Sequence, residues 1–486
     1  MKIKSIINVE VIGRNLGVLL FIESFFMLTA VPFSFYYHSP HPESMAFSSL
    51  ITFLGGFILY GTCHKNHEHA VYRDRFIIVT LSWIMFSLFG SLPYLLSHSV
   101  NSVVDAFFES MSGFTTTGAS VIVDKEVVPK DILYWRSLTQ WLGGLGIIVF
   151  TVLILPLLGL GGHISSIQGN SFEDSAKIHP HFTATIKWLG GIYFILTVIE
   201  FIMLSFGNLG VFDSLCCSLT TLSSGGFSTK NDSAASMNTY TQCVVMLFMV
   251  LSGTNFVLVY MLLKGHLKLL IKNEEFRTYV NIFVIVGVIA AFVIHFMQNT
   301  PWDEALLNTL FSSISLISTT GYSTVNYLNF PTFVWVMMLM LVLVGGCVGS
   351  TAGGIKVLRH TLLFKNSFKE LKRTLHPNAV LPPRFNGKSV PHNVINRVSI
   401  FVIIFMVILI SGVAFFSIVG IDFNTSIGLV LANLCNVGVG IGDVGPLCTY
   451  DHFSSIVKVA CSVLQLLGRL DILTVIALLT KNFWTY

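Results

Sequence analysis

Four short segments of this chain combine glycine with small polar residues: Thr116-Thr117-Gly118, Ser224-Gly225-Gly226, Thr319-Thr320-Gly321 and Asn436-Val437-Gly438. Such residues offer oxygens, from backbone carbonyls and hydroxyls, and glycine supplies the positive φ needed to aim them. Thirteen positions before each closing glycine stands Asp105, Asp213, Asn308 or Thr425, residue types favoured at a helix N-cap. About ten helical residues between cap and glycine rise ~15 Å, half of a ~30 Å hydrocarbon core. Each segment therefore predicts a half-membrane helix running into backbone that must leave the helix, with the partial negative end of its dipole turned toward a cation. Four of them around one axis would form a ring of carbonyls, which is the chemistry of a cation selectivity filter. A ring of neutral oxygens suits a large, weakly hydrated cation, and these twelve residues are the candidate ion ligands.

The elements that must hold them are membrane helices. Of the 486 residues, 53% are hydrophobic and 11% charged, against about a quarter charged in soluble domains, and mean hydropathy is +0.76. Apolar runs long enough to span occur at roughly 11–37, 45–63, 76–97, 132–160, 186–207, 241–263, 279–297, 332–364, 398–420 and 453–480. Ten crossings plus four half-helices make an all-α, polytopic membrane protein. With the amino terminus in the cytoplasm, Lys65, Arg73, Arg75, Lys177, Lys264, Lys268, Lys272, Arg277, Arg359, Lys365, Lys369, Lys372, Arg373, Arg384 and Lys388 all fall inside. Lys125, Lys130 and Lys230 remain outside, so the positive-inside rule sets the orientation. Basic residues in short juxtamembrane loops do not make a nucleic-acid surface. The eight cysteines contain no C-x-x-C pair and read as small buried hydrophobes. Glu10, Arg14 and Glu23 interrupt the first apolar run, which is an uncleaved helix rather than a signal peptide.

After two leading helices (1–70), the order helix, half-helix, filter, helix recurs in four units at 71–165, 180–272, 276–375 and 393–486. Pro377 to Pro391 is a proline-rich linker between the third and fourth units. The second helix of the third unit is interrupted by Gly345, Gly346, Gly349, Ser350, Thr351, Gly353 and Gly354. Overlapping G-x-x-x-G spacings can pack helices, but each interior glycine costs about 1 kcal/mol of helix. This density predicts a broken helix whose loop lines a watery cavity and acts as a gate. Arg469, mid-way through the last apolar run, costs ~2.5–3.5 kcal/mol or more at that depth. It is expected either to project into the pore below the filter or to pair with a buried acid such as Glu109 or Glu200. His64, His67 and His69 form a loose cluster best explained as a solvated loop. No G-x-x-x-x-G-K-[ST] motif is present, so nucleotide dependence would have to come from another chain.

The four filter segments, the glycine-rich break and the closing Gly468-Arg469-Leu470-Asp471 together resemble the TrkH-type subunits of the Trk/Ktr/HKT superfamily of potassium transporters. The resemblance covers the whole chain, including the two leading helices. It implies that Gly118, Gly226, Gly321 and Gly438 are the filter glycines, that 345–354 is the intramembrane gating loop, and that Arg469 is the pore arginine. It also implies a homodimer, one pore per protomer, on cytosolic TrkA-type nucleotide-binding subunits. The chain departs from the pattern at Asn436-Val437-Gly438 and at Asp471. The expected function is channel-like potassium uptake across a bacterial inner membrane, with no enzymatic activity and no cofactor of its own. The alternative is a sodium- or proton-coupled symporter.

Overall fold

A computed structural model describes residues 7–63, 72–154, 182–376 and 381–485. His64, His67, His69, Lys65, Lys177 and the expected unit limits at 70, 71, 165 and 180 lie outside the described residues. Among the described residues the regular structure is helical apart from a hairpin of β1 (Arg384–Phe385) and β2 (Lys388–Ser389) in the proline-rich linker.

The leading pair is α1 (Val9–Leu28), extended by α2 (Val31–Tyr36), and α3 (Glu43–Thr62). Gly17 and Gly56 let the two backbones meet: a β-carbon on Gly17 would lie 2.8 Å from the Gly56 carbonyl oxygen. Such small-residue contacts are how membrane helices associate without a hydrophobic drive.

Each unit then opens with an apolar helix: α4 (Tyr72–Gly90, prolonged by α5, Leu92–Leu96), α8 (Phe182–Ser205), α13 (Glu274–Gln298) and α17 (His392–Ile418). Each continues into a short pore helix: α6 (Val103–Phe114), α9 (Val211–Leu222), α14 (Trp302–Ile317) and α18 (Phe423–Leu434). The pore helices are buried on nearly every side from their second turn onward. Serines and threonines are interspersed among apolar residues in the second and third of them, and all four sit inside the bundle instead of facing lipid.

The second helices differ from unit to unit. The first is the unbroken α7 (Lys130–Ile154), whereas the second bends by 114° between α10 (Thr239–Ser252) and α11 (Phe256–Leu263); α12 (Leu267–Lys272) follows. The third is α15 (Thr332–Val344), a non-helical stretch over 345–356, and α16 (Val357–Leu375). The fourth bends by 113° between α19 (Ser455–Arg469) and α20 (Ile472–Leu479). A break was expected in the third unit only; Gly253-Thr254-Asn255 and Leu470-Asp471 mark two more.

Six described helices are long and apolar enough to cross a membrane, and the two bent pairs bring the number to eight. The other two expected runs correspond to α7 and to α15 with α16. The expected apolar run 332–364 is in fact divided, because its apolar character stops at Val344 and α16 is basic and amphipathic.

The residues thirteen positions before the glycines are not N-caps. The pore helices begin earlier, at the caps Ser102, Gly210, Pro301 and Asp422. Asp105, Asp213 and Thr425 lie in first turns, and Asn308 lies further inside α14. Their regular spacing has another cause. Asp213 accepts from Thr229 Oγ1 (2.8 Å), Asn308 from Thr324 Oγ1 (3.0 Å), and Thr425 Oγ1 from the Asp443 N–H (3.2 Å). They tie the chain leaving the filter segment back to the pore helix. Asp105 instead pairs with Lys458 (2.8 Å), and Glu109 does the tying in the first unit.

Candidate ion pathway

All four pore helices end in the same way. In the first, the Thr116 N–H bonds Gly113 O (2.9 Å) and the Thr117 N–H bonds Ser112 O (2.8 Å). The same two bonds recur from Ser224 and Gly225, from Thr319 and Thr320, and from Asn436 and Val437. This is a Schellman ending, in which one left-handed residue lets two orphan carbonyls be satisfied. Glycine usually fills that position, yet here it is Thr116 (φ 51°), Ser224 (φ 55°), Thr319 (φ 57°) and Asn436 (φ 53°). Two residues on, the backbone turns left-handed again at Gly118, Gly226, Gly321 and Gly438 (φ 72° to 84°). Non-glycine residues held at positive φ persist only where the surroundings over-determine them.

The surroundings form a closed ring. A β-carbon on Gly118 would lie 2.2 Å from the Gly225 carbonyl oxygen, and one on Gly226 would lie 1.7 Å from that of Thr320. One on Gly321 would lie 2.2 Å from the oxygen of Val437, and one on Gly438 would lie 2.4 Å from that of Thr117. Wall one leans on wall two, two on three, three on four and four on one. Glycine is required twice over at each position, by φ and by the neighbouring wall.

A second set of bonds passes from unit to unit outside the ring. Glu109 accepts from Ser120 Oγ (3.0 Å) and the Val121 N–H (2.8 Å), and pairs with Arg136 Nε at 2.6 Å, both side chains being buried. Arg136 donates onward to Ser228 O (2.9 Å) and lies 3.5 Å over the Phe227 ring. Gln140 donates to Gly225 O (2.8 Å) and accepts from the Phe227 N–H (3.1 Å). The Tyr322 hydroxyl donates to Phe227 O (3.1 Å), that of Tyr327 to Gly440 O (2.7 Å) and that of Tyr450 to Gly438 O (3.2 Å). The Tyr450 N–H closes the circuit on Ser120 O (2.8 Å). None of these bracing side chains was anticipated from the sequence. Glu109 alone was considered there, as a partner for Arg469, and that pairing does not occur.

The glycine-rich stretch lies against the ends of the same walls. The Gly353 N–H donates to Thr319 Oγ1 (2.7 Å), and Thr351 Oγ1 reaches Leu222 O (3.2 Å) and Ser252 O (3.1 Å). The Cys347 N–H meets Gly253 O (2.8 Å), and the Phe256 N–H meets Gly349 O (3.1 Å). Gly345, Gly349 and Gly354 adopt positive φ. Gly346 and Ser350 lie within the same stretch, where Ser350 Oγ donates to Cys347 O (2.6 Å). A β-carbon on Gly353 would lie 2.1 Å from Cys435 O, which puts this stretch directly under wall four.

Arg469 ends α19 and is 4% exposed. It donates to Thr351 O (2.7 Å) and Gly143 O (3.2 Å) and makes no ion pair among the described residues. The buried-acid partner is therefore not seen. Glu109 belongs to Arg136, Glu200 makes no ion pair among the described residues, and Asp471 pairs with Arg359 at 2.7 Å. Asp471 follows Arg469 by two residues. It occupies a left-handed break (φ 62°) that turns the chain toward α16.

The neutral walls leave two oxygens unspent. Thr116 Oγ1 and Asn436 Oδ1 are buried without a hydrogen-bond partner. The other polar atom of Asn436, Nδ2, bonds Thr117 Oγ1 (2.9 Å) and Gln465 O (2.9 Å). No carboxylate belongs to the ring segments, so the oxygens they offer are carbonyls, hydroxyls and one amide.

Residues 41–486 match the TrkH family, described as a cation transport protein. The chain is 36% identical over 445 residues to the Trk system potassium uptake protein TrkH of Salmonella typhimurium, covering 88% of this chain and 89% of that one. It is 33% identical over 487 residues to the Trk system potassium uptake protein TrkG of Escherichia coli, covering 98% and 99%. The crystal structure of the potassium transporter TrkH from Vibrio parahaemolyticus superposes with a TM-score of 0.90 at 32% identity, over 98% of this chain and 99% of that one.

Proposed function

This chain belongs to the TrkH family of cation transport proteins, and from that premise we propose that it takes up potassium through a channel-like pore whose selectivity filter is the ring of four glycine walls. It is a membrane transport protein of potassium and not an enzyme. The observation that carries the filter reading is the ring closure, in which each glycine abuts the carbonyl of the next wall and leaves no room for a side chain. Four pore-helix C-termini meet there, each with a partial negative charge. A ring of neutral oxygens replaces the hydration shell of a large, weakly hydrated cation. Thr116 Oγ1 and Asn436 Oδ1, otherwise unsatisfied, are the groups that a cation at the inner end would satisfy.

The stretch from Gly345 to Gly354 is the gate. It is non-helical, it contacts three of the four walls or their helix ends, and it is anchored by backbone bonds that can be exchanged singly. Arg469 supplies a positive charge beside it that slows cations.

The protein resides in a bacterial inner membrane with its amino terminus in the cytoplasm, where the basic residues of α16 also lie. A homodimer is supported by Phe364, Phe368, Leu371 and Leu375, which form an exposed apolar stripe on α16. A cytosolic TrkA-type subunit would bring nucleotide control, and this chain would bind no cofactor itself.

Coupling to protons is the second reading, favoured by Glu23 and Glu200, which are buried and make no ion pair among the described residues. Intramembrane carboxyls of this kind are functional candidates by default. Purified protein in liposomes, loaded for rubidium or potassium flux, tests both readings. Flux that follows the potassium gradient alone supports the channel. Flux that stops without a sodium or pH gradient would replace it with symport, and absence of any flux would remove both.

A further inference from the structure

Between α7, α16, α17 and the α19–α20 break lies a cleft of about 70 Å³, lined by the glycine-rich loop and by Lys356, Arg359, Arg469 and Asp471. It is an odd lining for a cation route, since three cationic side chains face one carboxylate. Asp471 is already shared with Arg359, and its Oδ1 makes no hydrogen bond. Lys356 and Arg469 have only backbone carbonyls as partners among the described residues: Ala352 for the first, Thr351 and Gly143 for the second. Arg469 keeps its Nε–H unpartnered although the residue is 4% exposed.

The same cleft receives the N-terminus of α16. That helix of 19 residues starts without a capping side chain and without an acidic residue in its first turn. Lys356 occupies its N-cap and Arg359 its first turn, so two cations meet at the positive end of the helix dipole.

We propose that this cleft binds a phosphate-type oxyanion. The side chains of Lys356, Arg359 and Arg469, the last with a buried Nε–H that has no partner among the described residues, offer donors from several directions, which fits a tetrahedral oxyanion better than a halide. Bound there, the anion bridges the start of α16 to the end of α19, the two anchors on either side of the loop. It holds the loop against the walls and lowers cation flux. The binding claim stands independently of the filter reading, and only its effect on flux rests on that reading.

The test uses the purified full-length chain in detergent, with inorganic phosphate compared with chloride at equal ionic strength and pH. A parallel arm uses short-chain phosphatidic acid. Equilibrium binding of radiolabelled phosphate and the thermal midpoint are measured on the parent, Lys356→Gln and Arg359→Gln. Saturable binding with a raised midpoint is expected, weakened about tenfold or more in either variant. Phosphate alone acting would assign a cytosolic anion, and phosphatidic acid alone would assign a lipid headgroup. Should Arg359→Gln fail to fold, Lys356→Gln carries the comparison. Stabilisation no greater than with chloride, or undiminished affinity in the folded variants, overturns the site. In liposomes, phosphate on the α16 side should reduce rubidium flux severalfold in the parent and not in Lys356→Gln; binding that leaves flux unchanged overturns the loop-holding role.

Discussion

At the level of the glycines, the four units behave alike: the same Schellman ending, the same pair of positive-φ residues, the same contact with the next wall. One step toward α16 they do four different things. α7 runs on unbroken, the second unit bends by 114°, the third opens into a loop, and the fourth bends by 113° beside Arg469. The difference separates two physical tasks. A ligand shell that must fit one ion is best over-determined, and each wall is held by its own helix, by the next wall and by bonds from outside. A closure that must open needs parts held by a few exchangeable bonds, and those need not be symmetric. Strained backbone occurs in both regions. In the ring it is locked, and in the loop it is held by Thr319, Asn255, Gly253 and Arg469.

Breaking the outer lock should have the largest effect. Glu109→Gln leaves Arg136 buried opposite a neutral group, and a loss of about 3–5 kcal/mol is expected. A denaturation midpoint in detergent reads it, with Asp471→Asn as the control. Its partner Arg359 is partly solvated, at 13% exposure, so that change should cost clearly less. Equal losses would erase the distinction between the locked and the exchangeable region.

Next comes Gly226→Ala, placed where the neighbouring carbonyl is closest. Positive φ alone penalises a side chain by ~1–2 kcal/mol, and the wall must also move. The potassium-over-sodium uptake ratio should fall about tenfold or more, with expression retained. An unchanged ratio would mean that the ring does not discriminate.

Arg469→Ala sharpens the comparison from the other side. At ~8 Å from a cation and an effective dielectric near ~20, its charge opposes occupancy by about 2 kcal/mol. Removal should raise flux, up to roughly thirtyfold, with little loss of stability because no carboxylate is orphaned. Decreased flux with a large drop in thermal midpoint would make the arginine a structural strut.

Tyr450→Phe removes one of many outer bonds, that to Gly438 O, and should cost about 0.5–1.5 kcal/mol. The uptake ratio should shift slightly, less than for Gly226→Ala. A shift as large as that of the glycine variant would place the tyrosine among the ion's determinants rather than its supports.

The sequence disclosed the parts whose signals are local. Glycine at the four walls, the dense glycines of 345–354 and the lone Arg469 stand out because each violates the expectation for an apolar helix. The repeated spacing to Asp105, Asp213, Asn308 and Thr425 was visible, yet its cause was misassigned: capping is a local bond, whereas Asp213, Asn308 and Thr425 reach forward to the outgoing chain and Asp105 pairs with Lys458. The braces were not legible, since Tyr327 and Gly440 lie 113 positions apart and a tyrosine in an apolar run carries no mark of its partner. Gln140 and Arg136 lie within the run 132–160, where the surrounding apolar residues set the hydropathy and mask single polar ones. The bends at Gly253-Thr254-Asn255 and at Asp471 passed unnoticed because a single glycine or aspartate is weak evidence against a helix that hydropathy favours.

The central claim is that the four walls hold the ion, and locating a heavy potassium surrogate tests it most directly. Crystals grown with rubidium, recorded at the rubidium absorption edge, should show anomalous density on the axis between Thr117, Gly225, Thr320 and Val437, and the density should weaken in Gly226→Ala. Rubidium found only outside the ring, or a ring without density in protein that conducts rubidium, would contradict the account.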